Sequence, residues 1–320
     1  MKFRRAYLSE PYHFIIKEVD EDCGPDQILV KIAGCGLCNW ELNFWDGNLN
    51  YQGYPHKLGH EWGGTVVKIG ENVKKFKVGD NVTGFERGFG GFAEYRVSGT
   101  ECVEKLADGV DPKYATGEPL KCIMTVIRAV DPQPADVGVV LGCGPMGIWC
   151  TQVLAHSAQK AIIAVDISDE KLEVAKKYGA THLINSKKVD AEAEIAKITG
   201  GRYADYVIEG TGVPALLNEA QKYVMKGRGG RIALMSSHHG VAKEFDFRIA
   251  IEKNYRLLFP HPNYSENEVD DFRRGVDLLN LGIFDTKGII NYEFKLDDIE
   301  KAFQTLEHKP ADFLKGIVVP

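Results

Sequence analysis

Short apolar runs separated by polar turns dominate the first third of the chain. The runs at residues 28–32, 64–70 and 92–97 are rich in β-branched and aromatic residues and are bounded by Gly, Asp or Asn, which is typical of strands. Residues 77–82 have the pattern of a turn that enters a further strand. The pattern therefore predicts a β-rich region over residues 28–110.

The pattern changes after about residue 128, where apolar strands alternate with longer helical segments. Six strands are predicted, at residues 137–141, 161–165, 182–184, 206–208, 231–234 and 256–259. Helices are predicted at 146–157 and at 168–178, the second opened by the N-cap candidate Ser168 and closed by Gly179. Alternation of this kind predicts a parallel sheet with helices on both faces.

The last part of the chain returns to helices at 270–281 and 296–306 and ends in an apolar run at 316–319. We interpret that run as a strand that rejoins the first domain. At about 150 residues per domain, 320 residues suggest two domains.

Composition excludes several classes of function. Lys and Arg total 39 against 45 Asp and Glu, so the net charge is −6, which argues against nucleic-acid and anionic-membrane partners. No apolar run follows the basic first residues, so a signal peptide is not expected. Residues 137–159 lack charged side chains, but glycines and a proline interrupt them, so a strand, turn and helix fit better than a membrane span. Seven cysteines without a secretion signal favour the cytoplasm over a disulfide framework.

A glycine-rich motif follows the predicted strand at 137–141 and opens a helix. It reads Gly142, Cys143, Gly144, Pro145, Met146, Gly147. In this context G-x-G-x-x-G predicts a dinucleotide site, with the pyrophosphate at the helix N-terminus. Asp166 ends the next strand, where a carboxylate would bind the ribose hydroxyls and repel a 2′-phosphate. The sequence therefore favours NAD over NADP.

Candidate metal ligands are scattered along the first 120 residues. They are Cys38, His60, Glu61 and Glu118. A thiolate, an imidazole and a carboxylate are ligands that catalytic zinc uses, with one position open for water or substrate.

Four segments together carry a family resemblance. G-L-C-N-W-E at 36–41, L-G-H-E-W-G-G at 58–64 and K-V-G-D-N-V at 77–82 resemble motifs of the zinc-dependent medium-chain dehydrogenases, and E-P-L at 118–120 resembles the sorbitol dehydrogenase branch. The resemblance implies an α/β protein with a GroES-like β-rich catalytic domain (1–127 and 265–320) and a doubly wound Rossmann domain (128–264). It also implies a homodimer or homotetramer.

The same resemblance implies a catalytic zinc at Cys38, His60 and either Glu61 or Glu118, or both by exchange. It places Lys171 near Asp166 at the adenosine ribose. Many family members bind a second, structural zinc through four closely spaced cysteines. Residues 85–95 cross that region without a cysteine, so we expect one zinc only. Cys35 is expected to be a buried small apolar residue.

The family pattern breaks at Trp40, where a Ser or Thr normally relays the substrate proton. An indole N–H donates but cannot accept, so a relay must use water, Glu61, Glu118 or a histidine. His56 and His261 are candidates, although a surface or structural role is favoured for both.

The substrate pocket also departs from the polyol branch, because F-P-H-P-N at 259–263 replaces F-R-Y-x-N. The aromatic candidates for its lining have core packing as an equal alternative. They are Trp40, Trp45, Phe85 and Phe89. The pair His238-His239 is interpreted as a loop without function.

These features predict a zinc-dependent oxidoreductase that transfers hydride between NAD(H) and a secondary alcohol or ketone of a sugar, polyol or derivative. The alternative is a lyase or epimerase that uses retained NAD for transient oxidation, an idea motivated by Trp40. A non-catalytic binding protein is disfavoured by the intact glycine motif and metal ligands.

Overall fold

The computed structural model describes residues 1–51, 53–85, 88–227, 229–236, 241–242 and 244–320. The chain divides into a first unit, Met1–Lys121 with Val269–Pro320, and a second unit, Cys122–Glu268. The domain limits expected from the sequence, 127/128 and 264/265, remain a prediction.

Strands and helices are numbered along the chain. The strands of the first unit are β1 (Lys2–Glu10), β2 (His13–Asp20), β3 (Gln27–Gly36), β4 (Glu61–Ile69), β5 (Asn81–Gly84), β6 (Tyr95–Gly99), β7 (Val103–Lys105), β14 (Ile290–Lys295) and β15 (Lys315–Val319). Those of the second unit are β8 (Val137–Leu141), β9 (Ala161–Asp166), β10 (His182–Asn185), β11 (Tyr206–Glu209), β12 (Arg231–Leu234) and β13 (Arg256–Leu258). The helices are α1 (Leu42–Trp45), α2 (Gly117–Val130), α3 (Pro145–Ala155), α4 (Asp169–Lys177), α5 (Ala191–Thr199), α6 (Leu216–Tyr223), α7 (Phe247–Lys253), α8 (Glu268–Asn280) and α9 (Ile299–Glu307).

The first unit is built on a mostly antiparallel sheet. Its strand order is β14-β15-β3-β4-β5-β7, with β6 also paired to β3, and β1 and β2 form a separate hairpin. The apolar run at the C-terminus is strand β15, which pairs with β3 in this unit, as the sequence predicted. Alternate residues of β3 and β4 face a buried core that β1, β2 and α9 complete.

The pairing of three strands brings distant parts of the chain to one end of this sheet. Gly36, the last residue of β3, lies opposite Glu61, the first residue of β4. On the other side of β3, Gly36 lies opposite Ile317 of β15. The residues just after β3, just before β4 and at the start of β15 therefore share one end of the sheet.

The second unit contains a parallel sheet in the order β10-β9-β8-β11-β12-β13. Its strands match the six predicted from the sequence, and together with the first unit they confirm the α/β class with a Rossmann-like domain. The order reverses at β8, and in sheets of this type ligands bind at the carboxyl ends of the strands beside such a reversal.

Burial explains why the pattern was readable in this unit. All five residues of β8 and the first five of β9 are buried, as expected of parallel strands covered on both faces. Ser168 caps α4 as predicted, since its hydroxyl accepts the N–H of Lys171. Residues 137–159 form β8, a turn and α3, and no helix in the described part of the chain is long and apolar enough to cross a membrane.

Two isoleucines of the β9 region test the core of the second unit. Ile163 is fully buried in the central sheet, whereas Ile167, four residues later, is 56% exposed. We expect Ile163→Ala to lower the free energy of unfolding by about 3 kcal/mol, because it leaves a cavity. Ile167→Ala should change it by less than about 0.5 kcal/mol. Urea unfolding measures both, and equal losses would contradict this packing.

Candidate metal centre and nucleotide site

Three of the predicted metal ligands lie together at the end of the first unit's sheet. Cys38 follows β3, and His60 and Glu61 stand at the start of β4. One ligand atom from each lies within 4.8 Å of the other two. Ligands of a tetrahedral zinc lie about 3.5 Å from one another, so small side-chain movements would close these atoms around one ion. A thiol, an imidazole and a carboxylate also fit zinc chemically.

His60 is oriented by a buried carboxylate. Its Nδ1 lies 2.9 Å from Oε1 of Glu41, which also accepts the N–H of Gly59 at 2.7 Å. With the Nδ1 proton donated to Glu41, Nε2 is the nitrogen available for a metal. Burial lowers the pKa of His60, but the charges of Glu41 and Cys38 outweigh it and raise the pKa well above its usual value.

The pKa of Cys38 is raised as well, but here burial is the cause and the charge of His60 opposes it. A metal bound by this cluster would release the protons of both side chains, since only the thiolate and the neutral imidazole are ligands.

Glu61 is paired with Lys315, the first residue of β15. The lysine Nζ lies 2.6 Å and 2.8 Å from the two carboxylate oxygens, and both side chains are buried. Burial raises the pKa of Glu61, opposed by the charge of Lys315. A side chain at Gly36 would overlap the carboxylate of Glu61, so this approach requires glycine.

Glu118 reaches the cluster from the first turn of α2. Its Oε2 lies 3.9 Å from Nε2 of His60, and its Oε1 lies 3.5 Å from Nζ of Lys121, one turn along the helix. The ammonium of Lys121 is buried and lies 4.4 Å from the ring centre of Phe85. Both carboxylates considered from the sequence, those of Glu61 and Glu118, therefore adjoin the cluster, and each has a buried lysine beside it.

An aromatic pair adjoins His60. Trp40 stacks on Phe89 with ring centres 5.9 Å apart and planes 10° apart. Both rings meet His60 edge-on, with centres 6.2 Å and 5.7 Å away. Trp45 and Phe85 are instead buried in the first unit, which favours core packing for these two.

The other residues singled out from the sequence lie in structural positions. Cys35 is fully buried, as predicted. His56 contacts Oδ1 of Asn50 and packs against aromatic rings. His261 caps a short 3₁₀ turn, accepting the N–H of Asn263. His238 and His239 lie outside the described residues.

The glycine motif connects β8 to α3 in the second unit. Gly142 has a φ of +97°, which favours glycine. A side chain at Gly147 would overlap the carbonyl oxygen of Gly142, whereas a Cβ at Gly144 would meet open space. Helix α3 begins at Pro145, directly after Gly144. The free N–H groups of this helix start and the open side of Gly144 suit a pyrophosphate.

Asp166 connects the glycine motif to the end of β9. Its carboxylate accepts the N–H of Cys143 at 2.7 Å and those of Ile167 and Ser168 at 2.7 Å and 2.9 Å. Burial and the charge of Asp166 raise the pKa of the Cys143 thiol, and the charge of Lys171 opposes them. Asp166 thus contacts the glycine motif directly, and the charges of Asp166 and Lys171 have opposite effects on the pKa of Cys143.

Comparison with known proteins assigns the family. Residues 24–108 match the alcohol dehydrogenase GroES-like domain and residues 145–278 match the zinc-binding dehydrogenase domain. An (R,R)-butanediol dehydrogenase of Bacillus subtilis is 31% identical, and the alignment covers 88% of this chain and 89% of that protein. The chain belongs to the zinc-type medium-chain alcohol dehydrogenases.

Further relatives of this zinc-type dehydrogenase agree with that assignment. A sorbitol dehydrogenase of Halalkalibacterium halodurans is 26% identical over 96% of both proteins. The crystal structure of 2R,3R-butanediol dehydrogenase from Bacillus subtilis superposes with a TM-score of 0.86 at 25% identity, covering 99% of each chain.

Sequence reasoning missed three charged residues of this dehydrogenase that surround the cluster: Glu41, Lys121 and Lys315. Glu41 is the last residue of the G-L-C-N-W-E motif, which drew attention only for its cysteine and tryptophan. Lys121 follows the E-P-L segment, and Lys315 precedes the last apolar run. A lysine in an apolar strand or on the buried side of a helix could have indicated a buried partner of opposite charge, because burial of a lone charge is costly.

The pair between Lys315 and Glu61 gives a prediction for metal-free protein. Lys315→Met leaves the buried Glu61 carboxylate without this cation, so we expect a loss of about 3 kcal/mol in unfolding free energy. Lys113→Met, which removes a comparably short but partly exposed pair with Glu293, should cost less than about 1 kcal/mol. Urea unfolding in a chelator compares the two, and equal losses would argue against a buried pair.

Proposed function

We propose that this chain is an NAD(H)- and zinc-dependent dehydrogenase that acts on a secondary alcohol of a sugar, polyol or derivative. The observation that carries the proposal is the cluster of Cys38, His60 and Glu61 with its imidazole oriented by Glu41. The named sorbitol and butanediol relatives support an alcohol that bears a neighbouring hydroxyl group.

The protein's part in the chemistry is to hold one zinc with an open position. Cys38 and His60 would provide two ligands, and Glu61 or Glu118 the third, with exchange between them. Zinc bound here would act as a Lewis acid on the alcohol oxygen and lower its pKa. Glu41 keeps Nε2 of His60 directed at the metal position. We expect no structural zinc, because residues 85–95 lack cysteine.

The proton of the alcohol needs an acceptor other than residue 40. The indole N–H of Trp40 can only donate. His56 and His261 have the structural contacts described above. We therefore propose that water or a carboxylate of the cluster accepts the proton, and Glu118 is the more exposed of the two carboxylates.

The cofactor is proposed to be NAD, which would accept the hydride. Asp166 ends β9 beside the glycine motif, where its charge would repel a 2′-phosphate. Lys171 would lie at the adenosine ribose. A lyase or epimerase with retained NAD is the second candidate, but it is not favoured, because the named relatives are dehydrogenases.

A substrate panel tests the reaction class. Zinc-loaded protein with NAD⁺ and a series of polyols, sugars and sugar phosphates should give NADH in equal amount to a product two hydrogens lighter. Absorbance at the reduced-nicotinamide band and mass spectrometry measure the two. Cys38→Ser is the matched control, and zinc content and activity should fall together in it. Substrate loss without NADH would favour the lyase or epimerase instead.

Asp166 gives a separate prediction for the cofactor. Asp166→Asn keeps the size of the side chain but removes the charge that would repel a 2′-phosphate. We expect the ratio of kcat/KM for NADP to kcat/KM for NAD to rise at least about tenfold, equivalent to about 1.4 kcal/mol. Thermal unfolding of the variant controls for loss of the three backbone contacts. An unchanged ratio in a folded variant would contradict the role of Asp166.

A further inference from the structure

Lys121 is a buried cation beside a cluster that we propose binds another cation. Only 3% of its side chain is exposed, and its Nζ lies 3.5 Å from Oε1 of Glu118. Burying an ammonium group is costly unless neighbouring charges compensate it. An ammonium near a metal site also repels the metal. Lys121 at this position therefore weakens metal binding, so its contribution to the site must be something other than metal affinity.

The charges around the cluster indicate what Lys121 balances. With the thiol of Cys38 ionised, four groups are negative, namely Cys38, Glu41, Glu61 and Glu118, and two are positive, Lys121 and Lys315. This leaves two negative charges, which one divalent ion neutralises. Lys121 thus keeps the metal-bound cluster from carrying a net negative charge.

The two carboxylates differ in how firmly their lysines hold them. Lys315 contacts both oxygens of Glu61 at 2.6 Å and 2.8 Å. Nζ of Lys121 lies 3.5 Å from Oε1 of Glu118, and Oε2 of Glu118 lies 3.9 Å from Nε2 of His60. Glu118 is also 13% exposed and lies one helical turn from Lys121. Rotation of the Glu118 side chain would therefore move its carboxylate between Lys121 and the position beside His60 without movement of the backbone.

We infer that Lys121 is a positioning residue that competes with the metal for Glu118 and so makes Glu118 an exchangeable ligand. This inference rests on the zinc site of the proposed function. With Glu118 turned away from the metal position, Lys121 would compensate its charge, and one ligand position would be open to substrate. When Glu118 returns, Lys121 remains next to the ring of Phe85, 4.4 Å from its centre.

Zinc affinity tests the inference without any substrate. Lys121→Met removes the competitor of the metal, so we expect the zinc dissociation constant, measured by chelator competition, to fall about tenfold, equivalent to about 1.4 kcal/mol. The absorption spectrum of the cobalt-substituted variant should change, since Glu118 would stay bound. Lys121→Gln, a second variant without the charge, should behave alike, and Lys121→Arg should keep an affinity close to that of the wild type. Lys113→Met, which removes the partly exposed ion pair with Glu293, should leave zinc affinity unchanged.

A double-mutant cycle separates competition for Glu118 from simple repulsion of the metal. In a Glu118→Gln background, Lys121→Met should tighten zinc binding clearly less than in the wild-type background if Lys121 acts through Glu118, because only the direct repulsion of the metal is then relieved. An equal tightening in both backgrounds would show repulsion alone and overturn the inference, as would unchanged or weaker binding by the single variants. Wild-type protein that binds no zinc would instead contradict the proposed function itself.

Discussion

The metal cluster depends on the pairing of β3 with β4 on one side and with β15 on the other. Gly36 faces Glu61 across one pair and Ile317 across the other, so Cys38, His60 and Lys315 meet although up to 277 positions separate them. A register shift of one residue would turn Glu61 to the opposite face of β4. The absence of a side chain at Gly36 permits this arrangement, since any Cβ there would overlap the carboxylate. The site is therefore a consequence of sheet register.

Burial of so many charges at one end of a sheet is stable only if they compensate each other. Glu41 accepts the N–H of Gly59 and lies beside His60, Glu61 pairs with Lys315, and the charges of Glu41 and Cys38 raise the pKa of His60. A divalent ion bound here would displace the proton of His60 and bring more positive charge into the cluster. The same electrostatics thus stabilise the folded cluster and select what it binds.

The second unit was the more predictable from sequence, because buried parallel strands appear as continuous apolar runs and Ser168 caps its helix through a local contact. In the first unit, the short β7 and the two-strand hairpin of β1 and β2 carry weaker signals. The candidate ligands Cys38 and His60 were recognisable because each lies in a local motif. Lys315 was not, since its partner Glu61 is 254 positions away and only the register of β15 reveals the contact. Lys121 lies beside the E-P-L segment, but sequence alone does not show that its side chain is buried.

The replacement of a hydroxyl by Trp40 changes which groups can take part in the proposed reaction. Its indole and the ring of Phe89 form an apolar stack against His60, and neither ring can accept the proton. Among the described residues, the carboxylates of Glu61 and Glu118 adjoin the cluster and can accept a proton. Lys315 lies closer to Glu61 than Lys121 lies to Glu118, so we assign the acceptor role to Glu118. The charge of a Glu118 carboxylate that is not bound to a metal would be compensated by Lys121. With Trp40 at this position and Lys121 beside Glu118, the proposed reaction therefore assigns the exchangeable ligand and the proton acceptor to the same carboxylate.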